Sequence, residues 1–289
     1  MESEVFKLCV VVPVSRMANK LNFFKAWAVE AQNHSIFIVV VHDWRDAETE
    51  NELKAFLLTL HSERYLLLSA EYGSPGYARN AGMKKAIGEW IAFWDSDDLP
   101  NLEAIICAIR ESSTTDEVLI GNFEKFNPKN HSTISVDLGL DWRQSVSRNP
   151  GLWRMIIRRN TIGQTTFADL LMAEDQLFLI QYQIFDRQVK LFHKVFYSYQ
   201  MAQDTQATSN QDSLTDLIRS LELTRKEIGL RNPTQLHYYQ RMYVMQTLAA
   251  FRHLRTSKKI MALLLFARFA KEFGFGKIVR ITLGIFREE

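Results

Sequence analysis

The sequence lacks any apolar run long enough to cross a membrane as a helix. Its longest unbroken apolar stretches are Leu8 to Val14 and Ile260 to Ala267, far short of the roughly 18 to 20 residues that a membrane-spanning helix needs. The N-terminus also lacks the positive charge of a secretory signal, since Glu2 and Glu4 stand there instead. We therefore expect a cytoplasmic protein that does not span the bilayer.

Cysteine is scarce, with two residues, Cys9 and Cys107, among 289. The pair has neither a metal-ligand spacing nor the pattern of a disulfide framework, so we expect two reduced, packed thiols. The composition is otherwise ordinary, with 47% apolar and 24% charged residues, which excludes a disordered or low-complexity chain. The length suits one large domain or a domain with an appendage.

The first hundred residues alternate short apolar runs with helical patterns. The predicted strands are Leu8 to Val14, Ile36 to Val41, Tyr65 to Ser69 and Trp90 to Trp94. The predicted helices are Asn19 to Gln32, Ala47 to Leu60 and Tyr77 to Ile87. Strands that are apolar throughout indicate a sheet covered on both faces, so we expect an α/β fold with a mostly parallel sheet flanked by helices. Ligands of such sheets bind beyond the carboxyl ends of the strands.

Beyond Pro100 the pattern is mixed. The predicted elements are a helix to about Arg110, strands from Val118 to Phe123 and from Lys190 to Tyr197, and a helix from Ala173 to Phe185. The polar segment from Gln203 to Ser213 has the composition of a loop or linker. The remainder of the chain has a helical pattern.

Three carboxylates are concentrated at the end of the fourth predicted strand, in the string Trp94-Asp95-Ser96-Asp97-Asp98. Clustered anions repel one another, and oxygen ligands suit Mg²⁺ or Mn²⁺, which takes one or two carboxylates together with substrate phosphate oxygens and water. A solvated turn that caps the next helix accounts for the string equally well. By itself the string leaves the metal site and the helix cap open.

The order of several motifs along the chain is more specific than this string. They are a first strand ending in Pro13, a second strand ending in Asp43, the segment Ala78-Arg79-Asn80-Ala81-Gly82, and the acidic string itself. This order resembles that of the family 2 glycosyltransferases with the GT-A fold, of the type that builds bacterial polysaccharides and lipopolysaccharides, in which the acidic string is the D-x-D motif. The resemblance covers about two thirds of the chain.

Two further segments extend the comparison. Ala173-Glu174-Asp175 is similar to the acidic pair that opens a helix near the acceptor site of this family. The segment after the last predicted strand departs from the family at Gln200, where an arginine is expected, and this departure removes a phosphate contact.

The resemblance implies a metal-dependent, inverting transfer of a hexose or hexosamine from a nucleoside diphosphate. The implied cofactor is Mn²⁺ or Mg²⁺, held by Asp97 with Asp98. The residues implied to bind the donor are Pro13, Ser15, Asp43, Arg79, Asp95 and Asp97. A carboxylate opposite an imide N–H fits uracil, so a UDP-sugar is the implied donor.

The same resemblance implies which residues act on the acceptor. Asp175 is the implied general base, and Glu174 either orients it or binds the acceptor. The implied acceptor is a saccharide or a lipid-linked glycan, and the candidate residues that line its groove are Trp142, Trp153 and Arg154. Packing in the core accounts for the two tryptophans equally well.

The resemblance also divides the chain. Residues 1–202 form the expected catalytic domain, with a nucleotide-sugar half over about 1–100 and an acceptor half over about 101–202. Residues 203–289 form the linker and a helical extension.

From residue 201 onward the chain has 14 Lys and Arg against 8 Asp and Glu. Residues 258–289 suit a helix on the anionic inner face of the cytoplasmic membrane, or a helical cap that packs its apolar stripe on the catalytic domain and leaves a basic face in solvent. No motif indicates nucleic-acid binding.

Two other classes of function remain alternatives. A catalytically silent protein that binds a nucleotide sugar or a partner at the membrane is one of them. A sugar-nucleotide nucleotidylyltransferase is the other, although Pro13 to Ala18 lacks the glycines of its phosphate loop. A dinucleotide-dependent oxidoreductase is excluded on the same ground, since no G-x-G-x-x-G follows the first strand.

Overall fold

The computed structural model describes residues 6–43, 46–201, 211–231, 235–254 and 256–283. The chain divides into two compact units. The sheet unit comprises Met1–Leu138, Leu152–Phe167 and Gln188–Thr205, and the helical unit comprises Gly139–Gly151, Ala168–Arg187 and Gln206–Glu289.

The first half of the sheet is parallel and buried. Its strands are β1 (Leu8–Val14), β2 (Ile36–Asp43), β3 (Tyr65–Ala70) and β4 (Trp90–Phe93). They lie in the order β3-β2-β1-β4, and every pair is parallel. The connecting helices are α1 (Asn22–Ala31), α2 (Ala47–Leu57) and α3 (Pro75–Met83). All seven strand-helix elements of this half are predicted from the sequence, because strands covered on both faces have continuous apolar runs.

The second half of the sheet is mixed. Its elements are β5 (Leu99–Pro100), α4 (Leu102–Glu111), β6 (Val118–Asn127), β7 (Ser132–Val136), β8 (Met155–Arg158) and β9 (Val189–Gln200). Within the described residues nine strands form one sheet, which continues from β4 in the order β8-β6-β9-β5 with β7 beside β6. Strand β8 is antiparallel to both of its neighbours, whereas β6 and β9 are parallel.

Several predicted boundaries shift. Helix α3 ends at Met83 instead of Ile87, while β9 continues to Gln200. His193, which lies within the predicted strand from Lys190 to Tyr197, is exposed because the register between β6 and β9 is interrupted there. The interruption turns His193 out of the alternating pattern of the strand.

The helical unit contains six described helices. They are α5 (Trp142–Arg148), α6 (Glu174–Gln181), α7 (Gln211–Ile228), α8 (Leu236–His253), α9 (Thr256–Phe273) and α10 (Phe275–Leu283). No helix among the described residues is both long and apolar enough to cross a bilayer.

The unit boundary differs from the division at residue 202. The segments 139–151 and 168–187 group with the C-terminal helices, since α5 packs on α8 and α6 packs on α7. Most of the predicted linker lies outside the described residues, but helix α7 already begins at Gln211, so residues 211–213 are helical.

A close contact fixes α3 against the sheet. A Cβ atom at Gly82 would collide with Val11 Cγ1 and would lie 3.0 Å from Val41 Cγ2. Glycine therefore lets the α3 backbone approach β1 and β2 directly. This approach sets the position of Arg79, which lies one turn earlier on the same helix.

Candidate functional site

The carboxyl ends of the first parallel strands meet at one edge of the sheet unit. Val14 of β1 pairs with His42 of β2, and Val11 of β1 pairs with Phe93 of β4. Because the strands run in the same direction, the residues that follow them are gathered at the same edge, where α/β sheets bind their ligands. The acidic string follows β4 at this edge.

Arg79 is joined to the first carboxylate of the string. Its guanidinium donates to Asp95 Oδ1 across 2.7 Å, with 9% of the Arg79 side chain and 32% of the Asp95 side chain exposed. Helix α3 begins with Ser74 as its N-cap and Pro75 in its first turn, which fixes the helix start. A charge-assisted hydrogen bond of this length holds the carboxylate in one orientation.

Phe167 supports Arg79 from the other side. The guanidinium carbon lies 5.7 Å from the centre of the Phe167 ring. The backbone of Phe167 is held in turn by the Asn80 side chain, which donates to its carbonyl and accepts from its N–H, both across 2.8 Å. Arg79 is therefore a positioned cation and not a mobile surface residue.

Tyr197 links the acidic string to β9. Its hydroxyl accepts the backbone N–H of Asp95 across 3.0 Å, although the two residues are 102 positions apart. Strand β5, which follows the string, pairs with β9 and brings Tyr197 opposite Pro100. Tyr197 is fully buried, so burial raises the pKa of its hydroxyl, and the charges of Asp98 and Asp95 raise it further.

Asp98 points into the protein and is 1% exposed. Its Oδ1 atom accepts the backbone N–H of Gln200 across 2.7 Å. Burial raises the pKa of Asp98 well above its usual range, the charges of Asp95 and Asp97 raise it further, and hydrogen bonds from Gln200 and Tyr197 offset part of the rise. Gln200, at the position where the family resemblance leads us to expect arginine, thus serves Asp98 through its main chain.

The acidic string has the chemistry of a divalent cation site. Asp97 is partly exposed beside the buried Asp98, and burial first, then the charges of Asp95 and Asp97, raise the pKa of Asp98. A hard cation would relieve the repulsion among these charges, and it needs only one or two carboxylates when phosphate oxygens and water complete its shell. Within the described ranges, no group of three or more His, Cys, Asp or Glu side chains could hold a metal by itself. One or two carboxylates of the acidic string would leave positions in the shell of such a cation for phosphate oxygens and water.

Asp43 joins the second strand to the glycine-rich segment. Its Oδ2 atom accepts the backbone N–H of Gly73 across 3.3 Å, and the side chain remains partly exposed. Pro13 is partly exposed and Ser15 is exposed, so all three predicted donor-binding positions of β1 and β2 are accessible.

His42, beside Asp43, has a structural role. Its ring is buried, with Nδ1 lying 3.3 Å from Ser69 Oγ and Nε2 lying 3.0 Å from the Asp46 carbonyl oxygen. The Asp46 side chain caps helix α2 and also accepts the backbone N–H of Arg16. These contacts tie the loops after β1 and β2 together.

Trp153 and Arg154 lie in the sheet unit beside this network. The Trp153 ring stacks on that of Tyr197, with 4.7 Å between centroids and 22° between planes. Arg154 is wholly buried with its guanidinium 4.8 Å from the centre of the Phe123 ring, and burial lowers its pKa to about 9. Trp153, which is partly exposed, is therefore the more accessible of the two.

The remaining predicted residues belong to the helical unit. Trp142 is buried, and its ring lies 5.9 Å from that of Phe185, so it packs in the core of this unit. Glu174 and Asp175 open helix α6 after Ala173, whose backbone is left-handed with φ 65°. Glu174 is buried, whereas Asp175 is partly exposed and accepts the N–H of Gln176 across 2.7 Å.

Tyr197 and Phe167 are the residues of this network whose roles sequence reasoning missed. Tyr197 was read as the end of an apolar strand, and Phe167 lies in a region without a legible pattern. A buried tyrosine near the end of a strand needs a partner for its hydroxyl, but the sequence does not identify that partner.

Comparison with known proteins gives a family match and several relatives. Residues 27–187 match the family model described as glycosyl transferase family 2, which is more than half of the chain. An uncharacterized glycosyltransferase of Rickettsia conorii is 30% identical over 141 residues, 46% of this chain and 22% of the relative. One from Rickettsia felis is 29% identical over 140 residues, with the same shares. The chain thus matches less than a quarter of the length of these relatives.

Solved structures with the same fold include two with bound nucleotide sugars. Staphylococcus aureus TarS 1-349 in complex with UDP-GlcNAc has a TM-score of 0.70 at 18% identity, covering 92% of this chain and 81% of that one. The mannosyltransferase PcManGT from Pyrobaculum calidifontis, in complex with GDP-Man and Mn²⁺, has a TM-score of 0.54 at 14% identity, covering 96% and 86%. At these identities the likeness establishes the fold alone.

Proposed function

Because the chain belongs to glycosyl transferase family 2 and has its GT-A fold, we propose that it transfers a sugar from a nucleoside diphosphate to a hydroxyl group. The observation that carries this proposal is the Arg79–Asp95 pair at the carboxyl edge of the parallel strands, held from behind by Tyr197. It fixes an acidic turn where such sheets bind nucleotides. The family match disfavours the nucleotidylyltransferase alternative.

The donor is a UDP-sugar that lies along the ends of β1, β2 and β4. Asp43 accepts the imide N–H of uracil, and Pro13 and Ser15 contact the base beside it. Asp95 faces the ribose or the donor sugar, in the orientation that Arg79 imposes on it. Similar structures with bound UDP-GlcNAc or GDP-Man support a nucleotide-sugar donor.

Asp97, with Asp98, would hold Mn²⁺ or Mg²⁺ at the acidic turn. When bound, the cation supplies Lewis-acid stabilisation of the negative charge on the leaving diphosphate. Asp97 provides an accessible carboxylate, whereas the buried Asp98 is held by Gln200 and keeps the turn in shape. The Mn²⁺ in the mannosyltransferase of similar fold supports this assignment.

Asp175 accepts the proton of the attacking hydroxyl. A bond forms between the acceptor oxygen and the anomeric carbon while the bond from that carbon to the diphosphate oxygen breaks, so in-line attack inverts the anomeric configuration. Glu174 orients Asp175 or binds the acceptor. Trp153 offers a partly exposed aromatic face to a sugar ring of the acceptor, whereas Arg154 and Trp142 each pack against a phenylalanine ring.

The sugar transferred is a hexose or hexosamine, and the acceptor is a saccharide or a lipid-linked glycan of polysaccharide biosynthesis. The reaction takes place in the cytoplasm, with peripheral contact to the inner face of the membrane. The surplus of basic residues in the C-terminal third supports this location.

Calorimetric titration of UDP and UDP-sugars in the presence and absence of Mn²⁺ tests the proposal. The wild-type chain is expected to bind UDP with an affinity that rises with Mn²⁺, and Asp97→Asn is expected to lose that rise. Asp116→Asn is the control and should match the wild type, since Asp116 lies in the turn before β6 and its carboxylate accepts the backbone N–H of Ser113. Binding that is independent of Mn²⁺ in all three proteins would refute the metal assignment, and no nucleotide binding would refute the donor.

A second variant tests the base. Asp175→Asn is expected to bind UDP normally but to release UDP from the donor sugar at least about 100-fold more slowly during transfer. Normal turnover in this variant would remove Asp175 from the mechanism.

A further inference from the structure

Helix α9 is attached to the helical unit by one face only. Ala262, Phe269 and Ala270 are buried, and the Phe269 ring stacks on that of Tyr243 with 4.0 Å between centroids. An ion pair of 2.6 Å between Arg225 on α7 and Glu272 adds to this attachment. This buried face of α9 therefore packs within the helical unit.

The opposite face of α9 presents large apolar side chains to solvent, and α10 adds two more. The exposed apolar face consists of Ile260, Met261, Leu263, Leu264, Phe275 and Val279. Leu264 is 66% exposed and Phe275 is 69% exposed. Single exposed apolar residues are ordinary on protein surfaces, but six on two consecutive helices indicate a surface that contacts something.

The same two helices are rich in cations. Arg268, Lys271, Lys277 and Arg280 are exposed, whereas Lys258 and Lys259 are partly buried and the Lys258 ammonium contacts Thr215 of α7. The sequence of α9 and α10 has one acidic residue, Glu272, which is paired with Arg225. The exposed surface of these helices is therefore apolar and positively charged.

We propose that the exposed apolar face and the exposed cations of the same helices bind the surface of an anionic phospholipid bilayer, with α9 and α10 lying flat on it. The apolar side chains enter the boundary between headgroups and acyl chains, and the cations contact lipid phosphates. This proposal specifies the surface for the peripheral contact in the proposed function, and it does not depend on the transfer chemistry.

Charge distinguishes a bilayer from a second copy of the chain. In a two-fold dimer the same patch meets itself, which would bring the exposed cations of both copies together. Like charges at an interface oppose association, whereas an anionic lipid surface complements them.

Co-sedimentation of the full chain with vesicles tests the proposal. The wild type is expected to sediment with vesicles of phosphatidylcholine and phosphatidylglycerol, but far less with phosphatidylcholine alone, and added salt should release it. The double variant Leu263→Gln, Leu264→Gln is expected to weaken binding about tenfold or more. Charge reversal by Arg268→Glu with Lys271→Glu should abolish the preference for anionic lipid.

The control is Leu58→Gln, since Leu58 is an isolated exposed leucine at the end of α2. It should sediment like the wild type, and circular dichroism should show that all variants fold. Equal binding by the wild type and the Leu263, Leu264 variant would overturn the proposal. A wild-type dimer in light scattering that becomes monomeric in that variant, without vesicle binding, would instead assign the face to a second copy. Because no donor or acceptor is present, failure here would leave the proposed transfer reaction untouched.

Discussion

The guanidinium of Arg79 donates to the carboxylate of Asp95 across 2.7 Å and joins helix α3 to the turn that follows β4. The two residues are 16 positions apart and belong to different motifs of the sequence. Their pairing means that the acidic turn and the glycine-rich helix start form one structural unit. Arg79 therefore orients the carboxylate of Asp95, and we expect it to influence donor binding through that carboxylate.

Replacement of Arg79 is expected to change the orientation of the Asp95 carboxylate more than it changes the fold. Arg79→Ala removes a largely buried cation from a partly exposed carboxylate, which should lower the free energy of unfolding by about 1 to 3 kcal/mol. It should also weaken UDP binding, because Asp95 loses its fixed orientation. Urea denaturation and calorimetry measure the two effects, with Arg110→Ala on the exposed end of α4 as the control. Wild-type affinity in Arg79→Ala would show that the pair has no role in donor binding.

The hydroxyl of Tyr197 can be removed with little change in shape. Tyr197→Phe leaves the buried N–H of Asp95 without its acceptor and takes a hydrogen bond from Asp98, which should cost about 1 to 2 kcal/mol of stability. The Mn²⁺-dependent part of UDP binding should also weaken. Tyr199→Phe is the matched control, since Tyr199 stacks on the same Trp153 ring but lies nearer the surface. Equal losses in both variants would attribute the effect to ring packing.

The close approach of α3 to the sheet predicts that Gly82 is intolerant of a methyl group. Gly82→Ala places a Cβ against the Val11 and Val41 side chains and should destabilise the chain by about 1 to 3 kcal/mol. Gly276→Ala in helix α10 is the control, because a Cβ there meets no described atom within 4 Å, and it should be neutral or slightly stabilising. Thermal unfolding measures the stability of both variants. A Gly82→Ala variant as stable as the wild type would mean that α3 can move away from the sheet.

The lowered pKa of Asp46 predicts that the stability of the fold depends on pH. Burial alone would raise its pKa, but hydrogen bonds from Thr49 and Arg16 and the nearby His42 together lower it. A carboxyl whose pKa is lower in the folded state stabilises the fold above its unfolded pKa of about 4, and this stabilisation is lost as pH falls through the folded value.

Asp46→Asn keeps a side-chain oxygen for the cap but removes the charge. It should therefore be less stable than the wild type by about 1 kcal/mol at neutral pH, and the difference should shrink towards zero below the folded pKa. Urea denaturation across the acidic range measures this, and a difference that does not change with pH would contradict the charge contribution.

The first half of the sheet and the order of its motifs follow from the sequence for a local reason. Parallel strands between helices are buried on both faces, so Leu8–Val14 and its neighbours are apolar throughout and are recognised one at a time. The residues after those strands are then known to share one edge. This is why Asp43, Arg79 and the acidic string could be assigned to one region before any coordinates.

The second half of the sheet was predicted only in part, because its pairing partners are distant in sequence. Strand β8 runs antiparallel between two strands that are not its sequence neighbours, and its pairing with β4 and β6 leaves no local signal. The grouping of segments 139–151 and 168–187 with the C-terminal helices has the same cause, since their helices pack on elements 30 or more positions later.

The sequence by itself determined which chemical groups stand at the strand ends and that the C-terminal helices have apolar and basic character. Only the tertiary structure decided that Tyr197 and Gln200 close over Asp95 and Asp98 from 102 positions away, and which face of α9 stays uncovered. Strand and helix patterns arise from neighbouring residues, whereas the partner of a side chain depends on strand order, register and the packing of whole elements, which no local pattern encodes.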